Sequence, residues 1–327
     1  MIDPQPLWTW ANERHAVYVR KTLEENGQYY SDEWCPDPVE ATADDGYLPY
    51  QQLTSDPIIQ QYRFCNVFRE LDRVTIWIKE NIREPFKDHP DLWLMLAIAR
   101  YINWPETLQF LIDSGYSWPG HEIFDPEGLG TALDYYKGQG KKVYTGAYMI
   151  RAESNPNAEW YSWTKQQYVA RVVIGRLWED REEWTKLLDG DTPPGRRPTI
   201  WDVWSRFQHS RYIGWGPFMA YQVCVDLRHT RYLRDALDIN TWSALGPGSR
   251  RGLNRLAGRP VDYNLSQADG LKEMLEIYNS QDQYRAPWLP HVELSDIQNC
   301  LCETDKYLRV KQGEGKPRSK YVPGRGW

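Results

Sequence analysis

At 327 residues, with 41% hydrophobic, the chain has room for one large domain or two ordinary ones around a sizeable core. A net charge of −6 argues against a protein that coats nucleic acid by bulk electrostatics, but leaves room for a local basic groove. The five scattered cysteines form no CxxC pair and read as reduced thiols; Cys300 and Cys302 alone make no zinc site, and neither metal nor cofactor is expected.

The first residues, "MIDPQPLWTWANERH", lack the basic start and apolar run of a secretory leader. No apolar stretch approaches the ~20 residues of a membrane span. Residues 1–60 are acidic and broken by prolines, and read as an irregular N-terminal arm with short helices. From 62 to 83, Phe64, Val67, Phe68, Leu71, Val74, Ile78 and Ile82 recur at helical spacing up to Pro85, predicting one amphipathic helix. Two more helices follow, divided at Pro105. A glycine-rich turn near 138–140 precedes a short extended piece at 145–150. Residues 162–188 read as helical and "DGDTPPGRRP" as a loop. A helix capped by Thr199 then leads into "RYIGWGPFMAYQVCVDLRH". Helices are also predicted over 266–281 and 293–310, the second capped near Ser295. Residues 311–327 carry five Lys/Arg, one Glu and four glycines, and read as a flexible basic tail. The class is mainly α.

Walker-type GxxxxGK[ST], GxGxxG after a strand, HExxH and GxSxG are all missing, which removes the usual nucleotide-hydrolysing, zinc-protease and esterase readings. Three constellations remain. On the predicted 62–83 helix, Asn66, Arg69, Glu70 and Arg73 fall opposite the apolar face. They suit an anionic group, or else form a solvated face with a local Glu70 pair. In "IGWGPF", Gly214 and Gly216 flank Trp215, and Pro217 suits the first turn of a helix carrying Phe218. The amides of such a start suit a phosphate; otherwise this is a glycine turn between packed helices. In "ALGPGSRRGLNR", a glycine turn brings Arg250, Arg251 and Arg255 together. Asp235 and Asp238 follow the hairpin by about twenty residues; Asp238 reads as a catalytic carboxylate or as a helix cap.

Four blocks in order, "NVFRELDRVT", "IGWGPFMAYQVCVDL", "ALGPGSRRGLNR" and "LSDIQNCLCETDKY", resemble the phage alpha-glutamyl/putrescinyl thymine pyrophosphorylases, also described as amino acid:DNA transferases. The resemblance implies a helical DNA glycosylase-like catalytic domain over 61–310 with a helix–hairpin–helix motif. It implies displacement of phosphate or pyrophosphate from phosphorylated 5-hydroxymethyluracil in double-stranded DNA by an amino acid or polyamine amine. An upstream DNA kinase would act first, in the host cell cytoplasm. Phe218 stands where glycosylases of the lyase type often carry lysine, which fits a transferase that leaves the glycosidic bond intact. Under this resemblance Asp238 is the first-choice base and Asp72 the second, and Asn66 holds the uracil edge. Arg69, Arg73, Arg250 and Arg251 meet around the leaving group, and Gly214, Trp215, Gly216 and Phe218 bind DNA, with Trp215 or Tyr212 as stacking platforms or, equally, as core rings. The rivals are a base-excision glycosylase and a non-catalytic helix–hairpin–helix DNA-binding protein.

Overall fold

The computed structural model describes residues 2–26, 34, 53–115, 118–120, 124–191, 195–317 and 320. They are mainly helical and contain no strand; Tyr62 and Lys320 form one isolated antiparallel bridge. In chain order the helices are α1 (Gln5–Asn26), α2 (Pro57–Gln61), α3 (Arg73–Ile78), α4 (Leu92–Ile102), α5 (Pro105–Asp113), α6 (Pro126–Gly138), α7 (Lys165–Tyr168), α8 (Gly175–Glu179), α9 (Arg181–Leu188), α10 (Ile200–Phe207), α11 (Pro217–Leu227), α12 (Pro247–Leu256), α13 (Gln267–Asn279) and α14 (Leu294–Lys311). Two π-helical turns, Lys79–Arg83 and Val169–Ile174, follow α3 and α7. The chain divides into two bodies, residues 1–73 with 240–327, and residues 74–239.

In the first body, α1 contributes Leu7, Trp8, Trp10, Ala11 and Val17 to a core shared with Leu253, Met274, Ile277, Ile297 and Leu301. The irregular arm expected over 1–60 is therefore corrected at its start. Pro6 lies inside the first turn of α1, where a missing N–H costs nothing, and no proline follows it within the helix. Residues 27–33 and 35–52 lie outside the described residues, as do 318–319 and 321–327 of the expected tail.

In the second body, α4 is apolar all round and all eleven of its residues are buried, the mark of a central helix. Its one charge, Arg100, is matched by Asp226 on α11. The two groups pair through two guanidinium nitrogens, Nη2 to Oδ1 being 2.7 Å, while Nη2 also donates to Thr75 and Nη1 to Asn103. Asn103 ends α4 in the left-handed conformation, φ 48°. Residues 145–150 form no strand.

The single helix predicted over 62–83 is also corrected. Residues 62–68 run without helix, Tyr62 and Phe68 having extended backbones. A 3₁₀ turn covers Arg69–Leu71, and helix begins only at Arg73. The apolar spacing is genuine, since Phe64, Val67, Phe68 and Leu71 all reach the core. The backbone between them is held by partners far away in sequence.

Candidate functional site

Two places concentrate the residues singled out by sequence, one in each body. In the second body, α10 leads through a tight turn into α11. Thr199 caps α10 in a reciprocal capping box with Asp202. Asp238 completes that helix start: its Oδ1 and Oδ2 accept the amides of Ile200 and Trp201 at 2.8 and 2.9 Å. Both oxygens of this carboxylate are thus committed to a cap.

The turn explains its glycines. Gly214 has φ +89°, and a Cβ there would lie 2.9 Å from Val173 and 3.0 Å from the Tyr101 hydroxyl. Gly216 is exposed, with ordinary φ −60°, and nothing stands within 4 Å of a Cβ added to it. Pro217 opens α11, and the Gly216 carbonyl accepts the Ala220 N–H. The amides of Phe218 and Met219 therefore precede the first intrahelical bond, at the positive end of the helix. Trp204 Nε1 donates to the Pro217 carbonyl and Gln208 Nε2 to the Trp215 carbonyl, fixing both ends of the turn to α10.

Of the two readings open for Trp215 and Tyr212, stacking platform or core ring, the structure shows the core one. Trp215 is 1% exposed, donates Nε1–H to the Val173 carbonyl, and packs on Tyr101 and Phe207. Tyr212 is buried against Trp184, with its hydroxyl donating to Asp180. Their rings anchor the turn so that its backbone, rather than its aromatics, faces outward. Phe218 is half-buried with its edge against Tyr148.

In the first body the segment 65–69 runs antiparallel to α14, which grips it by its main chain. Glu303 accepts the Cys65 N–H at 3.0 Å. Asn299 donates to the Asn66 carbonyl at 3.3 Å, Cys300 to the Val67 carbonyl at 3.8 Å, and Asp296 accepts the Arg69 N–H at 3.1 Å. Positions 296, 299, 300 and 303 share one helical face. Asp72 closes the segment: its Oδ1 accepts the Asn66 N–H at 2.9 Å, and the Asn66 side chain donates to the Leu71 carbonyl. Asn66 is thus buried and occupied with backbone.

The neighbouring face of α14 receives α12. A Cβ on Gly248 would sit 2.4 Å from Cys302 Sγ, and one on Gly252 would sit 2.3 Å from the Leu301 carbonyl oxygen. The glycines of "GPGSRRG" therefore serve close helix approach. Asp305, also on α14, accepts Arg251 and Arg255 Nε, each at 2.8 Å. Three of the four sequence blocks meet on one helix.

The electrostatics follow from this burial. Desolvation raises the Asp72 pKa, against the opposing Asn66 amide and the Arg69 charge; Glu303 adds to the rise. Burial, joined by the carboxylates of Glu303 and Asp72, pushes the Cys65 thiol well up. Asp296 is pushed up to about 7, chiefly by burial. Lys306 pairs with Glu303 at 2.7 Å, and that carboxylate raises its pKa although burial opposes it.

The four arginines are not brought together by any described contact. Arg69 is buried and gives its backbone N–H to Asp296 at the first turn of α14, while Arg251 pairs with Asp305 nine residues further on. Arg250 donates to Asn264, and Arg73 is exposed. Sequence reading also missed Asp296, Asn299 and Glu303, although these polar residues at i, i+3 and i+7 carried a helical-face signal.

Among the described residues no group of three or more His, Cys, Asp and Glu side chains suits a metal ion. No helix among them is long and apolar enough to cross a membrane.

The described residues define a mainly helical protein with two distinctive features, a glycine–proline turn between helices in the second body and a helix that holds the segment 65–69 by its main chain in the first. Residues 48–317 match the family described as 5-hmdU DNA kinase, helical domain, and the chain belongs to that family. It is 25% identical over 271 residues to a 5-hmdU DNA kinase of Bacillus phage SP10, covering 78% of this chain and 40% of that relative. The chain thus spans less than half the length of the curated relative it matches. No solved structure matches it.

Proposed function

We propose that this protein acts on 5-hydroxymethyluracil in phage DNA, exchanging a phosphorylated 5-substituent for an amine. The observation that carries the proposal is membership, over residues 48–317, in a family named for kinases of 5-hydroxymethyldeoxyuridine DNA. The α10–α11 turn supports a DNA grip: the amides around Gly216 and Phe218 suit a backbone phosphate, positioning the duplex without reading sequence. In that role the turn is the hairpin of a helix–hairpin–helix within a glycosylase-like domain.

The target base leaves the stack so that its 5-substituent enters a closed site. The donor nitrogen then attacks the 5-methylene. A C–N bond forms, the C–O bond to phosphate or pyrophosphate breaks, and the amine loses a proton. Asp72 suits that proton better than Asp238. It is half-buried with a raised pKa, and its Oδ2 accepts no hydrogen bond from the described residues, whereas Asp238 spends both oxygens on a cap. Arg73 and Arg251, exposed, are the accessible cations for the leaving group; Arg69 and Arg250 are more enclosed.

The test is nucleoside mass spectrometry on phosphorylated hydroxymethyluracil DNA incubated with the protein and a panel of amino acids and polyamines. Asp72→Asn is expected to lower aminated nucleoside formation by roughly 10²–10⁴-fold, and Asp238→Asn to leave it unchanged. Free base with an abasic site would make the protein a glycosylase. Retained DNA binding with no covalent change would favour a second reading, a substrate-recognition part working with a kinase. The 40% coverage of the phage relative favours that second reading.

A further inference from the structure

The second body carries a groove of about 530 Å³ that none of the sequence motifs indicated. Its aromatic lining is Trp160, Trp163 and Trp178. Arginines lie over these rings in three pairs: Arg171 over Trp163 at 4.0 Å, Arg176 over Trp160 at 5.1 Å and Arg181 over Trp178 at 4.4 Å. Arg171 projects from the π-helical turn Val169–Ile174, a distortion that is frequent at functional sites because it re-aims side chains. One wall is continuous with the turn before α11. Arg211 lines the groove, its carbonyl accepts Arg176 Nη1 at 2.7 Å, and its guanidinium is held by Glu179 and Asp180 at 2.7 Å each.

Charge decides what such a groove takes. Three lining arginines, Arg171, Arg176 and Arg211, face four lining carboxylates, Asp125, Glu127, Glu159 and Glu179. No net positive charge is left for a phosphate chain. The recognition surface is planar: half-buried tryptophan and guanidinium planes, the surfaces on which nucleobases stack whatever their sequence.

We infer that this groove receives an unstacked nucleobase, from a DNA strand held at the adjoining α10–α11 turn, by stacking against the Trp–Arg pairs. The inference rests on the DNA-binding part of the proposed function alone and adds a place for an unstacked base of the bound strand, independent of Asp72 and the arginines of the first body. It assigns the groove to the base and the turn to the backbone.

The experiment is fluorescence anisotropy with the full chain and three end-labelled probes: a blunt duplex, the same duplex with one unpaired thymine, and oligothymidylate. The unpaired-thymine duplex is expected to bind more tightly than the blunt one. Trp160→Ala and Trp163→Ala each weaken the unpaired-thymine and single-strand probes by about 5–100-fold, the worth of one stacked base, and leave the blunt duplex unchanged. Trp163→Tyr, which keeps a stacking ring, restores most of the loss and guards against a mere folding defect. Equal wild-type affinity for blunt and unpaired-thymine duplexes, or alanine variants that bind like wild type, would overturn the groove assignment while leaving the turn's grip intact. Wild-type protein that binds none of the three probes would instead remove the DNA reading itself.

Discussion

Replacing Gly214 by alanine separates the two reasons for the "GWG" spacing. The residue sits at φ +89°, where an L side chain costs about 1–2 kcal/mol. Its new methyl would also press on Val173 at 2.9 Å and the Tyr101 hydroxyl at 3.0 Å, an overpacking term of about 1–3 kcal/mol. The Val173 methyl sits on a branched side chain in the core, so it cannot swing aside cheaply. The combined loss is about 2–5 kcal/mol. Gly216→Ala is the control: φ is −60° and the added Cβ meets nothing, so only a helix-cap preference of about 0.5 kcal/mol is at stake. Urea unfolding of the two variants, followed by tryptophan fluorescence, measures the difference directly. Equal midpoints would refute the account of the turn, because conformational strain and steric pressure would then both be absent.

Other outcomes follow from the same structure. Asp226→Asn strands the buried Arg100 charge and is expected to cost about 3–5 kcal/mol by urea unfolding, with the double change Arg100→Met, Asp226→Leu recovering much of it. Gly252→Ala drives a methyl to 2.3 Å from the Leu301 carbonyl and is expected to destabilise by at least about 2 kcal/mol. Exposed Gly258→Ala, with open space around it, is expected to cost only the left-handed penalty of about 1–2 kcal/mol. Asp296 is protonated more readily in the folded protein, about 7 against 3.8 unfolded. Its contribution is therefore fully present below pH 3.8 and is lost as pH rises to about 7. Asp296→Asn is expected to flatten that decline in unfolding midpoints between pH 4 and 8; a variant that declines like wild type would refute it.

The residues that could be read from sequence are those whose structure is local. The Thr199 cap and the helix start at Pro217 are decided within four residues and form as predicted, the structure adding Asp202 as the reciprocal partner of Thr199. The segment 62–71 shows the limit. Its apolar residues fall at helical spacing and all are buried, yet 62–68 form no helix and 69–71 only a 3₁₀ turn, because α14, some 230 residues later, holds the main chain at Cys65, Asn66, Val67 and Arg69. Helical periodicity reports which side chains go inward, not who supplies the hydrogen bonds. Asp238 fits either a base or a cap by sequence, and only the Ile200 and Trp201 amides show how its oxygens are used. For Trp215, "GWG" fixed the turn but could not say which way the ring pointed. The Trp–Arg groove was illegible because only the Trp178–Arg181 pair is local, while Trp160 and Trp163 meet Arg176 and Arg171 of later helical turns through tertiary packing.

The strapping of residues 65–69 along α14 has a consequence for the order in which the chain folds. The second body, 74–239, is one uninterrupted stretch, so its whole chain is made before α14. The first body is split in sequence, and its early segment stays without Asp296, Asn299 and Glu303 until the last helix emerges. The part of the core that α1 supplies to it, Trp10 beside Phe64 and His15 beside Phe68, precedes it in the chain, while Ile297, Cys300 and Leu301 of α14 come much later. The last block of the sequence thus both completes the first body and sets the moment at which its opening segment commits to a structure.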